Sequence, residues 1–239
     1  MEQTLTIQVT NVFESQVLTL TNNSVAENLP KDTLVGTLGL TDAPEGSIRY
    51  RLVSGDGASG NGRFRISGNQ ILTRMPFNAE SQSSYSVRVQ ATDAAGNVTN
   101  QVFTIQIIDV NEAPTGLKLS STTVSERRPP GTSVGQLSAV DVDAGTALTY
   151  SLVSGSGDAD NSQFVIVGNS LVTAAEFDFR SRSVYSIRVR VTDEEGASSE
   201  RVFRIKVTKA KESPATGSLL AWLSHLWQTN FPWWESIQS

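Results

Sequence analysis

The 239-residue chain contains no cysteine, which excludes a disulfide framework, a zinc-thiolate site and a thiol nucleophile. That absence does not fix the compartment, since exported proteins can do without disulfides. Histidine is nearly missing as well. His225 stands alone, so catalysis built on a neutral-pH imidazole pair is all but excluded. Basic residues are the minority, 19 against 24 acidic ones for a net charge of −5. The diffuse positive field that holds nucleic acid non-specifically is therefore lacking, and no nucleic-acid partner is expected. No apolar run approaches the roughly 20 residues that span a bilayer. The opening MEQTLTIQVTN has neither the basic nor the apolar region of a signal peptide. No transmembrane segment is expected in the chain, and any export signal is expected outside it.

What is present is globular material. Hydrophobic residues make up 38% and charged residues 18%, with 18 glycines and only 8 prolines, so disordered and collagen-like compositions do not fit. The length accommodates one large domain or two small ones, and self-similarity decides for two. Val25-Ala26-Glu27 returns as Val124-Ser125-Glu126, and Tyr50-Arg51-Leu52-Val53-Ser54-Gly55 as Tyr150-Ser151-Leu152-Val153-Ser154-Gly155. Phe64-Arg65-Ile66 pairs with Phe164-Val165-Ile166, and the run from Tyr85 to Asp93 with that from Tyr185 to Asp193. Units of about 100 residues in tandem follow, the size of an immunoglobulin-like sandwich.

Within each unit the hydrophobic period is two. Tyr85, Val87, Val89 and Ala91 point one way while Ser86, Arg88 and Gln90 point the other. Turn signals such as Gly68-Asn69 and Ala95-Gly96-Asn97 separate short runs rich in Val, Ile, Thr and Tyr. About seven strands are predicted in the first unit, near residues 17–20, 34–40, 48–52, 64–66, 70–73, 84–92 and 102–108. The fold class is all-β, with two tandem Greek-key β-sandwiches. Leu5-Thr6-Ile7-Gln8-Val9 resembles Phe103-Thr104-Ile105-Gln106-Ile107, so residues 1–13 are expected to be the last strand of a preceding unit. The units are assigned to 14–112 and 113–210, and 211–239 to a tail.

The segment joining the units, Asp109-Val110-Asn111-Glu112-Ala113-Pro114, is acidic and ends in proline. If the sandwiches stack end to end, Glu27, Glu80, Asp109, Glu112, Asp141, Asp143 and Asp193 converge there. Two like charges about 5 Å apart repel by roughly 3 kcal/mol at an effective dielectric near 20, so such a cluster calls for cations. Calcium takes six to eight hard oxygen ligands in loose geometry, whereas magnesium demands a small octahedron and zinc prefers the Cys and His that are lacking here. Taken singly, each acid is better read as a solvated loop residue, and Asp93 or Asp193 as a turn former before glycine. Their convergence is what favours metal.

These residues resemble tandem cadherin repeats, of the kind found in bacterial surface and secreted proteins, over positions 1 to about 210. Asp109-Val110-Asn111-Glu112-Ala113-Pro114 is similar to the family's DxNDNAP linker, one residue shorter. Asp141-Val142-Asp143 matches its DxD, Asp93 and Asp193 its T-D-x-x-G ending, and Glu27 and Glu126 its early glutamate. Phe77-Asn78-Ala79-Glu80 and Phe177-Asp178-Phe179-Arg180 occupy its LDRE position. The resemblance implies metal ligation by Glu27, Asn78, Glu80, Asp109, Asn111, Glu112, Asp141, Asp143 and Asp193, with calcium as the cofactor. It also implies calcium-stiffened rods and, in many members, adhesion. At the upper pole of the first unit Asn11, Phe13 and Pro44 replace ligands, leaving the thinner set Glu14, Asp42 and Asp93. At the lower pole of the second, the linker position reads Lys209-Ala210-Lys211-Glu212 and Arg180 stands where Glu80 stood, so fixed cations are expected in place of calcium beside Glu126 and Asp178. The second unit is then expected to be the last repeat. Asp158-Ala159-Asp160-Asn161 is read as a polar loop.

All four tryptophans follow residue 221. Leu219, Leu220, Leu223, Leu226 and Trp227 share a face at helical spacing, so a short amphipathic C-terminal helix is predicted, and packing on the second unit or in a following segment is favoured over partner docking. The functional expectation is a calcium-dependent structural and adhesive module, extracellular or at a cell surface, whose partners are calcium ions and other cadherin-like repeats or surface ligands. The competing expectation is a polysaccharide-binding accessory module of an exported enzyme, although tryptophan is absent from the sandwiches. Catalysis by a carboxylate pair, as in glycoside hydrolases, needs a cleft; here the acids fall at a joint, and no enzyme is expected.

Overall fold

The computed structural model describes residues 15–143, 145 and 147–211. The expected opening strand at 1–13, the positions Asn11 and Phe13 where ligands are replaced, the acid Glu14, and the tail helix with His225 and the tryptophans lie outside the described residues. The chain forms two compact units: residues up to Glu112 together with Val142–Gly145, and Ala113–Asp141 together with residues from Thr146 onward.

In the first unit the strands are β1 (Leu18–Leu20), β2 (Ser24–Ala26), β3 (Leu34–Leu40), β4 (Arg49–Leu52), β5 (Phe64–Ser67), β6 (Gln70–Thr73), β7 (Ser84–Thr92) and β8 (Val98–Ile108). They form two four-stranded sheets, β1-β3-β6-β5 and β2-β8-β7-β4. The second unit repeats the plan with β9 (Thr115–Leu119), β10 (Thr123–Ser125), β11 (Ser133–Val140), β12 (Thr149–Leu152), β13 (Phe164–Val167), β14 (Ser170–Thr173), β15 (Val184–Thr192) and β16 (Ser198–Thr208). Its sheets run β13-β14-β11-β9 and β10-β16-β15-β12. Each unit is an all-β sandwich of the immunoglobulin-like type.

The alternation read in the sequence is the alternation of burial. Val87, Val89 and Ala91 of β7 and Ile105 of β8 are wholly buried, and the intervening side chains face outward. An aromatic triad fills the middle of each core. Phe64, Phe77 and Tyr85 have ring centroids 5.0–6.0 Å apart, and Phe164, Phe177 and Tyr185 repeat the arrangement at 4.6–6.2 Å. Such offset and edge contacts satisfy the ring quadrupoles as well as burying area.

One strand escaped the sequence pattern. β2 pairs parallel with β8, aligning Val25 with Ile107 and Ala26 with Ile108, while β1 pairs antiparallel with β3 in the other sheet. The chain therefore changes sheets between Leu20 and Ser24. Three-residue strands carry no measurable period, so the change is legible only from pairing. The crossing is held by Asn22, whose amide donates to the carbonyls of Ser24 and Val35 at 2.7 Å each. It also explains Gly36: a Cβ there would lie 2.2 Å from the Asn22 carbonyl oxygen, so only glycine lets the backbones pass.

The polar loop at Asp158 to Asn161 is structural. Asp160 is buried and accepts both guanidinium nitrogens of Arg182 at 2.6 and 2.7 Å and the Ser186 N–H at 2.7 Å. The side-chain oxygen of Asn161 accepts from the Arg188 N–H at 3.0 Å, as Asn61 does from Arg88 in the first unit at the same distance.

Candidate metal centre

Glu27 follows β2 at the end of the sheet where β8 also ends, and it is only 2% exposed. A carboxylate is tolerated at that depth because both its oxygens accept backbone N–H groups: Oε2 from Ala79 at 2.8 Å and Oε1 from Val110 at 2.9 Å. The residue thus ties the loop before β7 to the segment after β8. This clamping role has no signature in the sequence, where Glu27 reads only as one acid among several.

The clamp brings the acids together. One carboxylate oxygen from each of Glu27, Glu80 and Asp109 lies within 4.8 Å of the other two, and Glu80, Glu112 and Asp143 form a second such group. Asp143 belongs to Val142–Gly145, a segment of the first compact unit, and its Oδ2 accepts the Glu112 N–H at 2.9 Å. Glu80 is common to both groups. Asn78 closes its own loop, with its oxygen accepting from the Ser81 N–H at 2.7 Å and its amide donating to Glu80 at 2.8 Å. Asn111 lies half-buried in the segment after β8. Asp141 and Asp193 belong to the second compact unit and enter neither group among the described residues.

The electrostatics match the crowding. Burial pushes the Glu112 carboxyl above the ordinary glutamate range, as does the charge of Glu27; the Asn28 amide opposes this, and Asp143 and Glu80 add to the rise. For Glu80, a hydrogen bond from its own backbone pulls downward, but burial, the charges of Glu27 and Asp109 and a hydrogen bond shared with Asp109 outweigh it, and the carboxyl is raised. Glu112 Oε1 accepts from Asn28. Its Oε2 is buried with no hydrogen-bond partner among the described residues. A buried carboxylate oxygen left unmatched is costly, and a cation removes that cost. Asn28 is the residue that sequence reasoning missed; its φ of 58°, a left-handed conformation that asparagine tolerates, carries its amide to Glu112.

The donors suit a hard cation. Every group in these clusters is a carboxylate, and the described residues contain neither cysteine nor histidine. Zinc and copper are disfavoured by that set, and calcium suits it in ligand type and in tolerance of irregular geometry. Glu27, Glu80, Asp109, Glu112 and Asp143 are the residues that would hold such an ion.

Asp93 and Asp193 serve turns. Asp93 Oδ1 accepts from the N–H groups of Ala95 and Asn97 at 2.9 and 2.8 Å, and its Oδ2 from the side chains of Asn97 and Gln16, both at 2.8 Å. Asp193 Oδ1 accepts from Gly196 and Ala197 at 2.6 and 2.9 Å. The Asn97 side chain above all, against burial and with help from Gln16 and the two backbone N–H groups, holds the Asp93 carboxyl below its ordinary range. A carboxyl lowered on folding adds stability above its unfolded pKa, near 3.9, and that stability is lost as the pH falls through the folded value. The urea midpoint of the first unit is expected to drop between pH 7 and pH 3. In Asp93→Ala it is expected to be lower at pH 7 and to drop less. An unchanged drop would assign the acid sensitivity to other groups.

Comparison with known proteins agrees with this architecture. The cadherin domain model matches residues 21–108 and 120–208, more than half of the chain. Mouse Protocadherin-16 is 31% identical over 225 residues, 87% of this chain but 7% of that protein. Rat Cadherin-22 is 31% identical over 223 residues, 80% of this chain and 27% of that protein. Drosophila Protein dachsous is 33% identical over 180 residues, 71% of this chain and 5% of that protein. The chain thus spans a small part of these relatives. Among solved structures, human Protocadherin-24 EC1-2 superposes with a TM-score of 0.60 at 18% identity, covering 78% of this chain and 94% of that one. The Protocadherin Gamma B7 extracellular cadherin domains 1-4 superpose at 0.52 with 23% identity, covering 80% and 50%. With its tandem sandwiches, its linker motif and both of its repeats matched by the family model, the chain belongs to the cadherin family.

Proposed function

We propose that this chain is a calcium-dependent adhesion module in which the acidic cluster after β8 holds calcium and the bound ions stiffen the segment from Asp109 to Pro114. The observation that carries the reading is the paired carboxylate groups sharing Glu80, with a buried Glu112 oxygen that lacks a hydrogen-bond partner among the described residues. Ion binding would draw together the loop before β7, the segment after β8 and the loop at Asp143. A segment fixed in this way presents a surface at constant orientation, which adhesion requires, and no catalytic step is involved.

An extracellular or cell-surface setting follows from the proposed ion. Weak sites of extracellular type, with dissociation constants of about 10⁻⁴ to 10⁻³ M, are filled where calcium is millimolar and empty in a cytosol. No described helix is long and apolar enough to cross a membrane. Partners in this reading are other cadherin-like repeats or surface ligands. The accessory-module reading is not favoured, because no phenylalanine or tyrosine among the described residues is exposed to serve as a platform for neutral sugars.

Calorimetric titration with calcium tests the proposal. Saturable heat in the stated affinity range is expected, with the affinity reduced at least tenfold in Asp143→Ala, since each carboxylate lost removes both a ligand and a charge. No heat in the wild type, or an unchanged isotherm in the variant, would retire it.

A further inference from the structure

The two sandwiches carry the same backbone frame at the pole beyond β2 and β8 in one and beyond β10 and β16 in the other. Val124 pairs with Val207 and Ser125 with Thr208, as Val25 pairs with Ile107 and Ala26 with Ile108. Glu126 repeats the clamp, accepting from the Phe179 N–H at 3.0 Å and from the Ala210 N–H at 3.2 Å. Around that frame the charge is inverted. Arg127, with φ 57°, replaces Asn28 at φ 58°. Arg180, Lys209 and Lys211 stand where Glu80, Asp109 and Asn111 stand in the first unit, and Arg128 where Leu29 stands.

Glu212, in the place of Glu112, lies outside the described residues, and the acids that remain among the described residues are already engaged. Both Glu126 oxygens accept backbone N–H groups, and Asp178 accepts from the Arg180 N–H at 2.9 Å and the Ser181 hydroxyl at 3.0 Å. None of Arg127, Arg128, Arg180, Lys209 or Lys211 forms an ion pair among the described residues, and all five are exposed. Lys209 is held over the Phe179 ring, 5.5 Å from its centroid. A cavity of about 650 Å³ opens among Glu126, Arg127, Arg128, Lys209 and Lys211.

We propose that this pole of the second sandwich is a calcium-independent binding surface for a sulfated polysaccharide. Arg127 and Arg128 from one loop and Lys209 and Lys211 from another, around one hollow and outnumbering the nearby Asp178 that Arg127 and Arg180 help hold ionised, match closely spaced oxyanions along a flexible chain. Arginine forks engage sulfate bidentately, and lysines supply point charges. A folded protein partner would require an apolar centre to the patch, and arginine and lysine tips do not provide one. Single-stranded nucleic acid would require aromatic stacking platforms, and Phe179 lies half-buried beneath Lys209.

The test uses the full chain in chelator, so that it stands apart from the calcium proposal. Binding of fluorescently labelled heparin oligosaccharide is followed by anisotropy at about 50 mM salt and above, where contacts to a polyanion weaken steeply with added salt. The variant Arg127→Asn/Lys209→Gln keeps a residue that accepts the left-handed backbone, and its folding is checked by circular dichroism. Its affinity is expected to fall by at least about tenfold, because two charge-assisted contacts are lost. Arg49→Gln/Arg51→Gln, on exposed positions of β4, is expected to bind as the wild type does. No binding by the wild type, or an equal loss in the β4 variant, would overturn the proposal. So would equal affinity for duplex DNA or phosphatidylserine vesicles, which would reduce the patch to non-specific charge.

Discussion

Glu27→Ala is expected to destabilise the first sandwich by about 3 kcal/mol, because two backbone N–H groups lose a charged acceptor at once. Those groups belong to Ala79 and Val110, so the loop before β7 and the segment after β8 loosen together. Glu27→Gln is not conservative here. Its oxygen can accept from one N–H, but its amide then turns a donor toward the other, and about half of the loss is expected to remain. Equilibrium urea unfolding measures the effect, with separate transitions for the units if they unfold independently. Glu126→Ala provides the comparison. It removes the same kind of clamp, at the longer distances of 3.0 and 3.2 Å, from a site ringed by cations. Calcium is expected to change the size of the Glu27 effect and to leave that of Glu126 unaltered. A Glu27→Ala chain as stable as the wild type in chelator would remove the clamp from the account.

The second large effect is a change of sign. Without metal, Glu112→Gln is expected to stabilise the first unit, since it discharges a carboxylate that burial and Glu27 already disfavour while an amide oxygen can still accept from Asn28. With calcium present the same substitution is expected to destabilise, because an anionic ligand is lost. The scale is set by linkage. A site filled at ten times its dissociation constant adds about 1.4 kcal/mol and at a hundred times about 2.7 kcal/mol, which corresponds to roughly 5–15 °C in Tm for a domain of this size. Differential scanning calorimetry of the wild type and variant, in chelator and in calcium, reads all four values. If Glu112→Gln lowers Tm equally in both conditions, the buried oxygen is serving a structural contact and not an ion.

Much of the fold was legible because it depends on local period and on repetition. The alternation through Tyr85, Val87, Val89 and Ala91 located β7 to the residue, and the recurrence of Tyr50 to Gly55 at Tyr150 to Gly155 showed that one plan serves both units. β2 and β10 were not legible, since each is three residues long and is defined by a parallel partner some eighty residues away. β8 also begins earlier than its hydrophobic stretch, at Val98. Its first residues are polar or exposed, and pairing with β7 places them.

The candidate site divides in the same way. Residue types and the linker motif marked Glu27, Glu80, Asp109, Glu112 and Asp143 together, and their oxygens are brought together. The glycine that follows Asp93 and Asp193 allowed a turn role for each, but nothing local indicated that the turns use the same oxygens a metal would use, or that the Asn78 oxygen is turned to the Ser81 N–H. Asn28 and Arg127 passed unnoticed, although each holds the left-handed position that aims the chain at its pole.

From its residues alone the chain determined its all-β class, its duplication and the opposite charges of two equivalent poles, because period, repetition and charge are properties of linear order. Which oxygens remain available to a cation, and which are consumed by backbone N–H groups, was decided only by the tertiary structure. Hydrogen-bond satisfaction depends on distances of about 3 Å between groups far apart in sequence, and no reading of linear order contains those distances.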